Sequence, residues 1–213
     1  MQRHLGSEFR PRFIERVGYG SRENPCPTDF SGDVSRVLAA LGDRGHIVAH
    51  SYGAIAAIMA AQERPEAVAS LLLLEPACMS LARGGPNVEA HVAALSPVLD
   101  RAAESSDVAY ETAFVTALGA PVSGERVTKE SRLRARRLRL QAAPWHAPLN
   151  WAVLSLPPTL VVTGGWSALY DEVAQVFVGH GARRATLAGA GHRPQDAAGA
   201  NQLMTDFWET TSA

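Results

Sequence analysis

The segment that most constrains this chain is His46-Ile47-Val48-Ala49-His50-Ser51-Tyr52-Gly53-Ala54-Ile55-Ala56-Ala57, where an apolar strand pattern turns through a serine into an alanine-rich helix. A serine on so sharp a strand-to-helix turn is held in an unfavourable backbone, and its neighbours two positions away must be small for strand and helix to pass closely. Ala49 and Gly53 meet that condition, alanine standing in the first place of the G-x-S-x-G pattern. The pattern predicts a nucleophile elbow with Ser51 at its tip.

Around it, strand-like and helix-like stretches alternate, which predicts an α/β domain with a mostly parallel sheet and helices on both faces. Arg12–Val17 reads as a short strand ending at the turn Gly18-Tyr19-Gly20-Ser21. A helix over about Phe30 to Leu41 follows, capped by Asp29 or Ser31, with Val34, Leu38 and Leu41 on one face. After the elbow helix, to about Arg64, Ala69–Leu74 is a continuous apolar run suited to a strand covered on both sides. From about Met79 to Leu156 the alternation stops, and three helices are expected, around Asn87–Ala103, Val108–Leu118 and Lys129–Gln141. The sheet resumes at Thr159–Thr163, a last strand is expected at Ala185–Leu187, and a helix over about Asn201–Trp208 closes the chain. The organisation is one core from 1–78 and 157–213, interrupted by a helical cap over 79–156.

Bulk properties exclude several classes of function. The charge is nearly balanced, 20 Lys+Arg against 21 Asp+Glu, so no net field favours nucleic acid or an anionic membrane. The first residues lack the apolar stretch of a secretory signal, and the longest apolar run is too short to span a bilayer, so the expected compartment is the cytoplasm. Cys26 and Cys78 are isolated and read as structural, without the spacing of a disulfide framework or a metal site. The basic run Lys129 to Arg139 reads as a solvated helix face.

A serine hydroxyl needs an imidazole to take its proton and a carboxylate to hold that imidazole in the right tautomer. His192, in the loop Gly189-Ala190-Gly191-His192 after the last expected strand, can swing back over the elbow from the same sheet edge. His50 should point away from Ser51 and is structural; His4, His46, His91 and His180 lie in no partner motif and read as solvated or core histidines.

With the elbow at Ser51, the cap between two core strands and GAGH at His192, the chain resembles an α/β-hydrolase over nearly all of its 213 residues. That resemblance implies the α/β-hydrolase fold and a Ser-His-acid triad. The family's usual acid follows the strand before Gly164-Gly165-Trp166-Ser167, where Ser167 stands in place of aspartate. Two carboxylates are available instead. Glu75 ends the preceding core strand, a position from which some members, including certain haloalkane dehalogenases, take their acid. Asp171 is the alternative acid, although its sequence context marks it as a helix N-cap. The first oxyanion donor implied is the amide of Tyr52; no His-Gly oxyanion motif occurs in residues 1–45.

The resemblance also aligns Gly18-Tyr19-Gly20-Ser21 with the turn after the family's fourth strand, so the first three strands are expected to be missing and the domain to be N-terminally truncated. Either the Arg12–Val17 strand then pairs with the elbow strand, or an open edge remains that favours association into a homo-oligomer. The expected substrate is a small molecule, an ester or similarly activated acyl compound, with no metal or organic cofactor. Serine in place of aspartate argues against dehalogenase or epoxide hydrolase chemistry. Trp145, His146, Trp151 and Trp166 are candidates for the substrate pocket; for the first three, which lie in the cap, the alternative is packing of the cap onto the core. The contrasting reading is a catalytically impaired, ligand-binding descendant without a complete oxyanion loop.

Overall fold

The apolar run after the elbow helix decides the architecture, because a strand without polar alternation needs cover on both faces. In the computed structural model, which describes residues 9–21, 23–119 and 128–211, that run is β2 (Val68–Leu74), paired in parallel with β1 (Gly45–His50) and with β3 (Thr159–Thr163). β4 (Arg183–Thr186) completes a four-stranded parallel sheet in the order β1-β2-β3-β4. Leu71, Leu73 and Val161 face α1 (Phe30–Leu41), α2 (Gly53–Glu63) and α6 (Ala168–Gly179) in one core cluster. Leu72, Leu74, Leu160 and Val162 face the other side, against Met204, Phe207 and Trp208 of α7 (Ala200–Thr211). The expected α/β fold with helices on both faces is present. Each fully buried leucine of β2 contributes roughly 1.5–3 kcal/mol by burial.

Local signals set most boundaries. Asp29 caps α1 by accepting from the Gly32 amide at 2.9 Å, and Val34 and Leu38 are buried along the expected face. Between β2 and β3 the chain forms α3 (Pro86–Asp100), α4 (Asp107–Ala117) and α5 (Lys129–Arg139), each ending a residue or more before the sequence suggested. Three of the five arginines of α5 tie it down: Arg134 pairs with Glu111, Arg139 with Asp107, and Arg137 donates to the carbonyls of Gly18 and Gly20. The last strand begins two residues and ends one residue earlier than expected, at Arg183–Thr186.

Residues 12–17 are not a strand. Their polar groups are taken by α1: the Val17 amide donates to Asp33 Oδ1 at 2.6 Å, Arg36 donates to the carbonyls of Glu15 and Arg16, and Arg12 reaches the carbonyl of Ala40. Phe13 and Ile14, the apolar pair of the expected strand, are exposed. β1 accordingly forms an edge of the described sheet, with Val48 partly exposed on it. His4 lies outside the described residues. No helix among the described residues is long and apolar enough to cross a membrane.

Candidate active site

Parallel register puts the carboxyl ends of the four strands level, and the chemistry-bearing residues follow directly from those ends. His50 pairs with Leu74, Leu74 with Val162, and Thr163 with Thr186. The next residues along β1 and β2 are Ser51 and Glu75, and both adopt the left-handed backbone, φ 52° and 47°, the only non-glycine residues among those described to do so. Such a conformation costs on the order of 1–3 kcal/mol and persists only where the surroundings enforce it. Here they do: the Ser51 amide donates to the Leu74 carbonyl at 2.9 Å, the Ser51 carbonyl accepts from the Ala77 amide at 3.1 Å, and the Glu75 amide donates to Val162 at 2.9 Å.

His192 approaches from the loop after β4. Its Nε2 lies 3.1 Å from Ser51 Oγ, and its Nδ1 lies 3.5 Å from Glu75 Oε2. The second separation is an ion-pair distance rather than a hydrogen bond, and Nδ1 has no closer partner among the described residues. Apo sites commonly hold such contacts loosely and tighten them on binding. Glu75 is completely buried; its Oε1 accepts from the Gly164 amide at 2.5 Å and its Oε2 from Trp166 Nε1 at 3.1 Å. The structure thus brings Ser51, His192 and Glu75 together.

Asp171 stands elsewhere. α6 begins at Ala168 with Ser167 as its N-cap, so Asp171 is a first-turn residue and not the cap that the sequence suggested; its carboxylate pairs with Arg184 of β4. Ser167 lines the cavity, and its hydroxyl does not cap α6.

Three residues shape the site in ways the sequence reading missed. Trp166 is 55% exposed yet spends its indole N–H on Glu75, an unusual position for so large an apolar ring. His50 Nε2 donates to the main-chain carbonyl of His192 at 2.6 Å, with the two rings 4.8 Å apart; burial lowers its pKa. Tyr170 lies 4.9 Å from the His192 ring. Its phenol interacts with Ser51, and its pKa is raised to about 12, chiefly by burial and further by the Glu75 carboxylate. The glycines also divide in an unexpected way. A Cβ on Gly164 would lie 1.8 Å from the Gly191 carbonyl, so this close approach seats the His192 loop. A Cβ on Gly53 would meet nothing within 4 Å, so the elbow does not need a glycine there for clearance.

Ser51, His192 and Tyr170 open onto a cavity of about 760 Å³ beneath α3, α4 and α5. Leu95, Leu99, Tyr110, Phe114, Leu138 and Trp145 supply its apolar wall, and no Asp, Glu, Lys or Arg is among the described residues lining it. Trp145 and Trp166 line the cavity. His146 is exposed and does not line it, and Trp151 packs elsewhere, stacked 3.7 Å from His180 with its indole N–H on the Leu81 carbonyl. Tyr52 anchors the elbow to this roof through its hydroxyl, which donates to the Ala142 carbonyl at 2.9 Å. Cys78 is buried and its thiol pKa raised by burial, which suits a structural thiol.

Residues 1–201 match the sequence profile of a family described as the alpha/beta hydrolase family. No curated protein matches the sequence. Solved structures with a similar fold include NosK from Streptomyces actuosus, 24% identical with a TM-score of 0.56, over 94% of this chain and 85% of that one. A thermophilic esterase from Thermogutta terrifontis is 19% identical with a TM-score of 0.54, over 93% and 79%. An epoxide hydrolase from Bacillus megaterium is 18% identical with a TM-score of 0.51, over 86% and 78%.

Proposed function

The chain belongs to the alpha/beta hydrolase family, and from that premise we propose that it hydrolyses a carboxylic ester or similar acyl compound through an acyl-enzyme on Ser51. The observation that carries this reading is the 3.1 Å approach of His192 Nε2 to the hydroxyl of a serine held at φ 52°. His192 takes the Ser51 proton as Oγ attacks the acyl carbon, and Glu75 stabilises the imidazolium that forms. The Tyr52 amide, at the N-terminal end of α2, receives the developing oxyanion, where a single preorganised donor is worth ~10²–10³ in rate. His192 then protonates the leaving group, and the same imidazole activates water to release the acid.

The apolar, uncharged cavity supports a bulky, uncharged acyl group as the part of the substrate recognised under α3 to α5, which act as the cap. On α5, Arg134, Arg137 and Arg139 hold the helix in place, and none of them lines the cavity. A fluorophosphonate probe tests the reading: the folded chain should label, and Ser51→Ala and His192→Ala should not. Labelling that persists in Ser51→Ala, or folded protein that does not label, would overturn it.

A further inference from the structure

The sheet order places everything except the elbow on one side of Ser51. Glu75 follows β2, Tyr170 lies in the first turn of the helix after β3, and His192 follows β4. The Tyr52 amide belongs instead to the N-terminal end of α2. In a tetrahedral intermediate on Ser51 Oγ, the former carbonyl oxygen therefore lies at the α2 end, and the leaving group lies toward His192, whose Nε2 must protonate it. Tyr170 is on that second side: its ring is 4.9 Å from the His192 ring and 6.0 Å from Trp166, and it lines the cavity with Ser51 and His192.

From this arrangement, and resting on the hydrolase reading above, we infer that Tyr170 is a further catalytic residue that hydrogen-bonds the leaving oxygen, and that the substrate is consequently an oxoester of an ordinary alkyl alcohol. In acylation the Ser51 Oγ–carbon bond forms as its proton passes to His192 Nε2, and the carbonyl π pair moves to the oxygen at the Tyr52 amide. On collapse that pair returns to carbon and the bond to the alcohol oxygen breaks. The departing oxygen takes the bond pair and the proton on His192 Nε2 while it accepts a hydrogen bond from the Tyr170 hydroxyl. Tyr170 keeps its own proton throughout, as a phenol whose pKa is raised to about 12 does at any ordinary working pH. Such a donor matters most to a strongly basic leaving oxygen and little to a stable phenolate or a thiolate.

The test is Tyr170→Phe, which retains the ring packing on His192, measured as kcat/KM on octanoyl esters that share one acyl group and differ in the leaving group. For the ethyl ester the variant should lose about 100-fold, the low end of what one preorganised hydrogen-bond donor contributes. For the p-nitrophenyl ester and the ethyl thioester it should stay within about threefold of the unchanged chain. An equal loss across the series would overturn the inference by making Tyr170 an oxyanion donor or a structural residue, and the absence of any loss would overturn it too. A further result is distinct from both: if the unchanged chain neither labels with fluorophosphonate nor turns over any of these esters, the hydrolase reading itself fails and takes this inference with it. Circular dichroism and thermal unfolding of Tyr170→Phe, expected to match the unchanged chain, separate a chemical loss from misfolding.

Discussion

Replacing Glu75 by glutamine removes one charge from the site and almost no volume. Two unit charges 3.5 Å apart, the separation of Glu75 Oε2 from His192 Nδ1, attract by about 5 kcal/mol at an effective dielectric of 20. The imidazolium exists only once Ser51 has given up its proton, so this attraction is felt in the transition state and not in the resting enzyme. At ~1.36 kcal/mol per tenfold, it corresponds to a rate loss of roughly 10³–10⁴. The amide keeps part of the dipole, which places the expected loss in kcat/KM nearer 10³. Its NH₂ group must also face one of the donors now bound by Glu75, the Gly164 amide or Trp166 Nε1, at a stability cost of about 1–3 kcal/mol. The assay is kcat/KM on an ester substrate at a temperature well below the melting point of both proteins, beside Asp171→Asn as a control. Activity of Glu75→Gln within tenfold of the unchanged chain would refute the electrostatic argument, and loss confined to Asp171→Asn would move the acid to Asp171.

Both Ser51→Ala and Ser51→Gly remove the hydroxyl, but only glycine relieves φ 52°; Ser51→Gly should therefore unfold at higher denaturant than Ser51→Ala, by about 1 kcal/mol, and equal stability would mean the elbow is unstrained. Gly164→Ala should abolish ester turnover and lower the melting temperature because its Cβ would collide with the Gly191 carbonyl, whereas Gly53→Ala should leave kcat/KM within about twofold; the reverse ranking would contradict the packing described. Burial lowers the pKa of His46, His50 and His91 below 6.5 in the folded chain. The unfolded chain then binds more protons as pH falls below 6.5, so the stability present above that pH should decline toward the lowered folded values. Urea unfolding at pH 8 and pH 5.5 should show the decrease, and His50→Gln should reduce it.

Elements whose cause is local were legible in the sequence. The helix Phe30–Leu41 and the strand Thr159–Thr163 form over the expected residues, because a capping aspartate with helical periodicity and a β-branched apolar run are self-contained signals. Elements decided by a distant partner were not. Arg12–Val17 reads as a short strand before a glycine turn, but Asp33 and Arg36 of α1 claim its backbone, and nothing within six residues announces that. Asp171 follows a plausible capping pattern, yet Ser167 starts the helix and Arg184 takes the carboxylate. The grouping of Ser51, Glu75 and His192 follows from a simple rule, that residues just after parallel strands share one edge of the sheet. The same rule could have found Trp166, three residues beyond β3, as a donor to Glu75. It could have found Tyr170 as well, one helical turn further on.

The paired left-handed kinks at Ser51 and Glu75 have a mechanical consequence. The backbone bonds from Ser51 to Leu74 and Ala77 straddle Glu75, so nucleophile and carboxylate are mounted on a single bracket formed by two neighbouring strand ends. A change in the twist of β1 against β2 turns that bracket as a unit and preserves the spacing of the two side chains. What it alters is their aim at His192, whose loop is held at two points, by His50 at the end of β1 and by the contact of Gly164, beyond β3, with Gly191. Tuning of such a site, by selection or by design, therefore falls on the fastening of residues 187–193 and leaves the bracket alone.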